Sequence, residues 1–174
     1  ETIPSESVCY PGKMVHGHII NLIEKGVERI FYPCIPYENK EIKKADNSFN
    51  CPIVTSYPEV IKANVDKIID ENVELMIPFL PINNFDRLQK RLYEEFEKFD
   101  ITKSEISKAL KKAWEEQIKY KEDIRTEAEK ILNQIRNNEF KGIVLAGRPY
   151  HIDPEIHHGI PNLINSLGMA VLTE

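Results

Sequence analysis

No apolar run in this chain approaches the length of a membrane span, and no signal-peptide pattern opens it. A membrane or secreted role is therefore not expected, and a cytoplasmic setting is. No GxGxxG fingerprint is present, nor a GxxxxGK stretch followed by Ser or Thr, so binding of NAD or ATP within these residues is unsupported. No CxxC pair occurs, which removes the zinc-ribbon signature. No compact run of four cysteines occurs either, which removes the small ferredoxin pattern. Internal repeats and low-complexity tracts are missing, and no Ser-His-Asp or Cys-His set has a local signature. An excess of positive charge is also lacking. The formal net charge is -5, which argues against a general nucleic-acid surface.

The 174 residues suffice for one domain or parts of two. The first residues, ETIPSES, carry no initiator methionine, and the last, GMAVLTE, read as a strand that stops. The expectation is a fragment of a longer protein.

Strand and helix signals alternate. A helix is expected over Pro11–Lys25, with Gly26 as its C-terminal cap, and a strand over Val27–Tyr32. CPIVTS reads as a second strand. Ser56, Pro58 and Glu59 then read as the start of a helix through Ile69. VELMIPF reads as a third strand. From Ile82 to Lys141 the chain holds fourteen Lys/Arg and thirteen Asp/Glu in no single block, a charged helical surface. Phe85, Leu88, Leu92, Phe96 and Phe99 mark one helix there. Thr102 and Glu105 open another of about thirty residues, carrying Ile106, Leu110, Ala113, Tyr120, Ile124, Ala128, Ile131 and Ile135. GIVLAG is a fourth strand, a helix capped by Asp153 with Pro154 in first position follows, and MAVLTE begins a fifth strand. The pattern predicts an α/β fold with parallel sheet, Rossmann- or flavodoxin-like in three layers, with a long charged helical segment. Three segments are expected: 1–81 bearing the cysteines, 82–140 helical and charged, and 141–174 opening a second α/β segment.

Two stretches can carry chemistry. The first holds the three cysteines, Cys9, Cys34 and Cys51, spaced by 25 and then 17 residues. An odd count argues against a self-contained disulfide framework. Spacing leaves two readings open, unrelated buried thiols or one shared site. Each cysteine stands beside a proline or one residue from one, in CYP, PCIP and NCP. Stiff loops suit ligands that must converge, and soft thiolates favour an iron-sulfur cluster, its fourth iron closed by water, by a residue such as His16 or by substrate, or zinc held by three Cys and one His. Cys51 reaches such a site if the loop from Ile35 to Asn50 folds back. Lys13 and His16 share a helix face near a helix start, where an anion is one reading and a capped helix with a solvated lysine is the other. His18 reads as a core-edge histidine.

The second stretch is LAGRPYHIDPEIHHG, Leu145 to Gly159, running from a strand end into a helix. Gly147 frees the turn. Arg148 suits a carboxylate or phosphate, and Tyr150 and His151 suit hydrogen bonding or proton transfer. The bland alternative pairs Arg148 with Glu155 or Asp153. His157 and His158 face apart, and neither is read as a ligand.

Together SESVCYPGKMVHGHI, RIFYPCIPYE, NCPIVTSYPEVI and GRPYHIDPEIHHGI resemble the 2-hydroxyacyl-CoA dehydratase and benzoyl-CoA reductase group. The likeness is to the dehydratase-like region of its large members, the CoA-substrate-specific enzyme activases. It covers both ends of the chain, and the charged middle carries little of it. The resemblance implies an ATP-driven activase domain or subunit that delivers a low-potential electron. The receiving component would hold a 4Fe-4S or double-cubane cluster and act on a CoA thioester or small molecule. It implies Cys9, Cys34 and Cys51 as cluster ligands, with Lys13, His16, Arg148 and His151 lining the cleft as candidate catalytic residues. ATP would belong only to activase domains outside this stretch. The leading expectation is thus an iron-sulfur reductase- or dehydratase-like component. The alternative is a non-catalytic docking or scaffold domain whose long charged helix is the interaction surface. A zinc hydrolase ranks third, and a homodimer is an open partner reading.

Overall fold

The computed structural model describes residues 3–173, in two compact units, 1–110 and 111–174. Glu1, Thr2 and Glu174, the last residue of the predicted final strand, lie outside the described residues.

The first unit opens with helix α1 (Tyr10–Glu24), which buries His16, Ile19 and Ile23 at three- and four-residue spacing. Gly26 ends it as expected, at φ +74°, its N–H donating to Ile23 O at 2.8 Å. Strand β1 (Arg29–Phe31) follows. Next come helices α2 (Pro52–Asn64) and α3 (Lys67–Asp70), then strand β2 (Glu74–Met76). Helix α4 (Phe85–Phe96) runs into a short 3-10 turn, Glu97–Phe99. β1 and β2 pair in parallel, Ile30 opposite Leu75. The core lies between this pair and the helices. Ile19 and Ile23 meet Ile30, Tyr57, Ile61, Val65, Ile68 and Val73. Ile61 is fully buried.

CPIVTS is not a strand. Pro52 takes the first turn of α2, where its missing N–H costs nothing, and the helix runs straight through the β-branched Ile53, Val54 and Thr55. Ser56 does not cap a helix start. It is already one turn in, and its Oγ donates to Pro52 O at 2.8 Å. Pro58 lies inside the helix, buried. The predicted run to Ile69 breaks at Val65, and Ile69 is exposed.

Helix α5 (Lys103–Arg136) is 34 residues long and begins in the first unit. Its start is the predicted capping box. Thr102 N–H donates to Glu105 Oε2 at 2.9 Å, and Glu105 N–H donates to Thr102 Oγ1 at 3.3 Å. The remainder of α5 belongs to the second unit, with strand β3 (Lys141–Leu145), helix α6 (Ile160–Ser166) and strand β4 (Met169–Thr173). β3 and β4 pair in parallel from Lys141–Met169 to Leu145–Thr173. The helix expected from Asp153 is absent. Asp153 O accepts from Ile156 and His157 in a turn, and α6 starts later, after Gly159 at φ +78°.

The architecture is therefore mixed α/β with two small parallel two-stranded sheets. Among the described residues no helix is long and apolar enough to cross a membrane.

Candidate functional site

Beyond Phe31 and Met76 the chain keeps the parallel pairing for a few residues more. Cys34 N–H donates to Pro78 O at 2.9 Å, and Leu80 N–H donates to Cys34 O at 2.9 Å, so Cys34 bridges to Phe79. The carboxyl edge of a parallel pair is where α/β proteins collect ligands. The loop from Ile35 to Asn50 does fold back. Asn50 N–H donates to Pro36 O at 2.9 Å, its Nδ2 donates to Ile35 O at 3.0 Å, and Tyr37 bridges to Phe49.

The three thiols sit in three different environments. Cys34 is fully buried, Cys9 is half-buried and Cys51 is exposed. Cys9 and Cys51 are the N-cap residues of α1 and α2, and neither side chain accepts a capping hydrogen bond. Burial pushes the Cys34 thiol up, with the Glu59 carboxylate adding to it. That environment favours the protonated thiol over the thiolate a metal needs. Among the described residues no three His, Cys, Asp or Glu side chains form a group able to hold a metal ion. The expectation that Cys9, Cys34 and Cys51 ligate a 4Fe-4S or double-cubane cluster is therefore corrected. With it go the iron-sulfur electron-transfer role and the three-cysteine, one-histidine zinc site. Proline stiffens these loops, but it does not fix where each thiol points.

Lys13 and His16 lie on α1 one turn apart, Lys13 half-buried and His16 only 2% exposed. His16 Nε2 shares a 3.0 Å hydrogen bond with Tyr57 Oη, and the two rings meet edge to face. Burial holds the imidazole below its ordinary value. Tyr57 is raised, by burial first and by Cys9 second. α1 and α2 approach closely here. A Cβ on Gly12 would stand 2.9 Å from Val8 Cγ2 and 3.4 Å from Ile53 Cγ2. Tyr57 was missed from sequence, because nothing local announces a partner 41 residues from His16.

Beside the Cys34–Phe79 bridge lies an open groove of about 510 Å³. It is lined by Pro36, Tyr37, Phe79, Leu80 and Pro81 and, from α4, by Arg87, Lys90, Arg91 and Glu94. Arg91 is spent within its own helix, bonding Glu94 at 2.5 Å and Glu95 at 2.6 Å. Sequence reasoning missed this groove too. One signal was available: Arg87 sits in the first turn of α4, where the helix dipole disfavours a cation.

Arg148 and His151 belong to the second unit, on the loop after β3. Arg148 N–H donates to His151 Nδ1 at 3.0 Å. A Cβ at Gly147 would collide with the His151 ring, so glycine lets the ring fold back. Asp153 does not take up Arg148. Its Oδ1 accepts from Glu155 N–H at 2.9 Å. Tyr150 packs edge to face on His151 at 4.7 Å between ring centroids.

Fold and site together define a mixed α/β domain with a ligand-accessible strand edge and no metal-binding group among the described residues. The family model described as CoA enzyme activase uncharacterised domain matches residues 1–174, and the chain belongs to that family. This agrees with the resemblance to activator-related members of the 2-hydroxyacyl-CoA dehydratase group. No curated protein and no solved structure matches the chain.

Proposed function

We propose that this chain is a non-catalytic docking or scaffold domain within a cytoplasmic CoA enzyme activase system, and that α5 is its interaction surface. One observation carries the reading. The apolar stripe of α5 is covered at its ends and bare in its middle. Ile106 and Leu110 are buried, and Ile131 and Ile135 are half-buried. Tyr120 and Ile124, one turn apart, are 59% and 51% exposed. Apolar side chains at helical spacing, rimmed by charge, suit a partner that packs on them.

On this reading the partner is the ATP-dependent activase domain or subunit, which carries the nucleotide, while any CoA thioester is handled elsewhere. His16 serves the core through Tyr57, and Lys13, Arg148 and His151 take no chemical step. Each parallel pair is the centre of a Rossmann- or flavodoxin-like layer to which further strands and helices add. Phe31 and Val144, 40% and 63% exposed, would lie under them.

The test is calorimetric titration of the full chain with the activase, beside Tyr120→Ala/Ile124→Ala. Alanine is the strongest helix former, so α5 should persist. Loss of about tenfold or more in affinity supports the reading, since each 1.4 kcal/mol is tenfold. Unchanged affinity, or no binding by the wild-type chain, rejects it.

A further inference from the structure

The groove at the carboxyl edge of β1–β2 lies apart from the bare stretch of α5 in sequence and carries a different chemistry. Its apolar lining includes two aromatic side chains, Tyr37 and Phe79. Phe79 is 52% exposed and Tyr37 39%, and Phe49, its ring tilted against Tyr37 at 4.9 Å between centroids, is 65% exposed. The apolar surface therefore continues past the groove along the folded-back loop. From α4 three cations, Arg87, Lys90 and Arg91, and one carboxylate, Glu94, also line it. Arg87 donates through its backbone N–H to Asn84 Oδ1 at 3.0 Å, and its guanidinium makes no ion pair among the described residues. Lys90 is 78% exposed along its side chain and reaches Glu94 at 3.9 Å, a loose surface contact. Arg91 is paired with Glu94 and Glu95, so the lining keeps a surplus of positive charge, carried by Arg87 and by Lys90 with its loose contact to Glu94.

That charge stands out twice. The chain as a whole is acidic, at -5. A cation in the first turn of α4 also works against the helix dipole, so Arg87 is not explained by helix stability. A small-molecule site would normally place buried polar groups to orient its ligand. Here no charged lining group is buried, Arg87, Lys90 and Glu94 being exposed and Arg91 half-buried, while Leu80 is 5% exposed. An open groove with exposed aromatic side chains and a surplus of positive charge fits an extended acidic peptide.

We propose that this groove binds an acidic peptide segment of a partner protein, seating one bulky apolar side chain on Tyr37 and Phe79 and its flanking carboxylates on Arg87 and Lys90. The proposal rests on the docking reading and names a second contact within it.

The experiment uses the isotope-labelled full chain and the acetylated peptide Glu-Asp-Trp-Leu-Glu-Asp, followed by amide chemical shifts. Saturable shifts are expected at Tyr37, Phe79, Leu80, Arg87 and Lys90. The matched peptide with Lys in place of each acidic residue should bind about tenfold more weakly or worse. Arg87→Glu/Lys90→Glu should reverse that preference, and Arg87→Glu places an anion where the helix dipole favours it, so the fold is kept. Phe79→Ala should weaken the acidic peptide by about tenfold or more, as truncation of an aromatic anchor does. No saturable shift, equal binding of both peptides, or shifts confined to other residues overturns the proposal. Phenylacetate saturating the same amides as tightly as the peptide also overturns it, in favour of a small-carboxylate site. Failure here with Tyr120→Ala/Ile124→Ala still impairing activase binding removes the groove and leaves the docking reading standing. If the α5 variant has no effect, the docking reading falls whatever the peptide does.

Discussion

Cys9 and Cys51 occupy the same local position at the starts of two packed helices, and neither thiol caps a backbone N–H. Ser in place of Cys51 supplies the missing acceptor, so Cys51→Ser should raise stability by about 0.5–1 kcal/mol, checked by urea unfolding. Native alkylation with iodoacetamide followed by mass spectrometry should label Cys51 first, Cys9 next and Cys34 last, following exposure and the raised Cys34 thiol. Equal rates at all three would contradict the separate environments. His16 gives a pH signature. Its folded pKa is lowered by burial, so the unfolded chain binds the proton more readily. Stability should therefore fall as pH drops below about 6.5, the ordinary imidazole value, and His16→Gln should flatten that slope. Tyr57→Phe removes one buried partner and should cost about 1–3 kcal/mol. The individual candidates were legible at this scale, since His16 and the cysteines stand out by type. Their environments were not, because burial and the Tyr57 contact arise from segments far apart in the chain.

At the scale of elements, legibility followed the strength of local signals. α1, α4 and α5 could be read because apolar spacing, Gly26 and the Thr102–Glu105 box all agree. α2 could not. Ile53, Val54 and Thr55 favour a strand by type, and tertiary packing of Tyr57 and Ile61 overrides that preference. Asp153 and Pro154 imitate a helix start, yet the chain only turns there before α6 begins after Gly159. Ile61 of α2 is fully buried. Ile61→Ala should cost about 2–5 kcal/mol, measured as a shift of the denaturant midpoint. A cost below about 1 kcal/mol would mean that α2 does not anchor this core. For α5 the same logic predicts the reverse. Tyr120→Ala/Ile124→Ala should leave circular dichroism and melting nearly unchanged, because neither side chain is buried.

At the scale of the whole molecule, alternation of strand and helix correctly announced α/β with parallel pairing. It could not announce how many strands each sheet holds, because that number depends on long-range pairing that periodicity does not encode. The metal site failed for a related reason. Ligand convergence is a property of three loops at once, and 25- and 17-residue spacings constrain none of their end points. The two docking proposals rest on exposed apolar and charged side chains, on the middle turns of α5 and along the carboxyl edge of β1–β2.

Hydrogen–deuterium exchange of the full chain, free and with saturating activase, tests the central claim most directly. The docking reading predicts slowed exchange across α5 from Ala113 to Ile124. An α5 that exchanges at the same rate free and bound would contradict it.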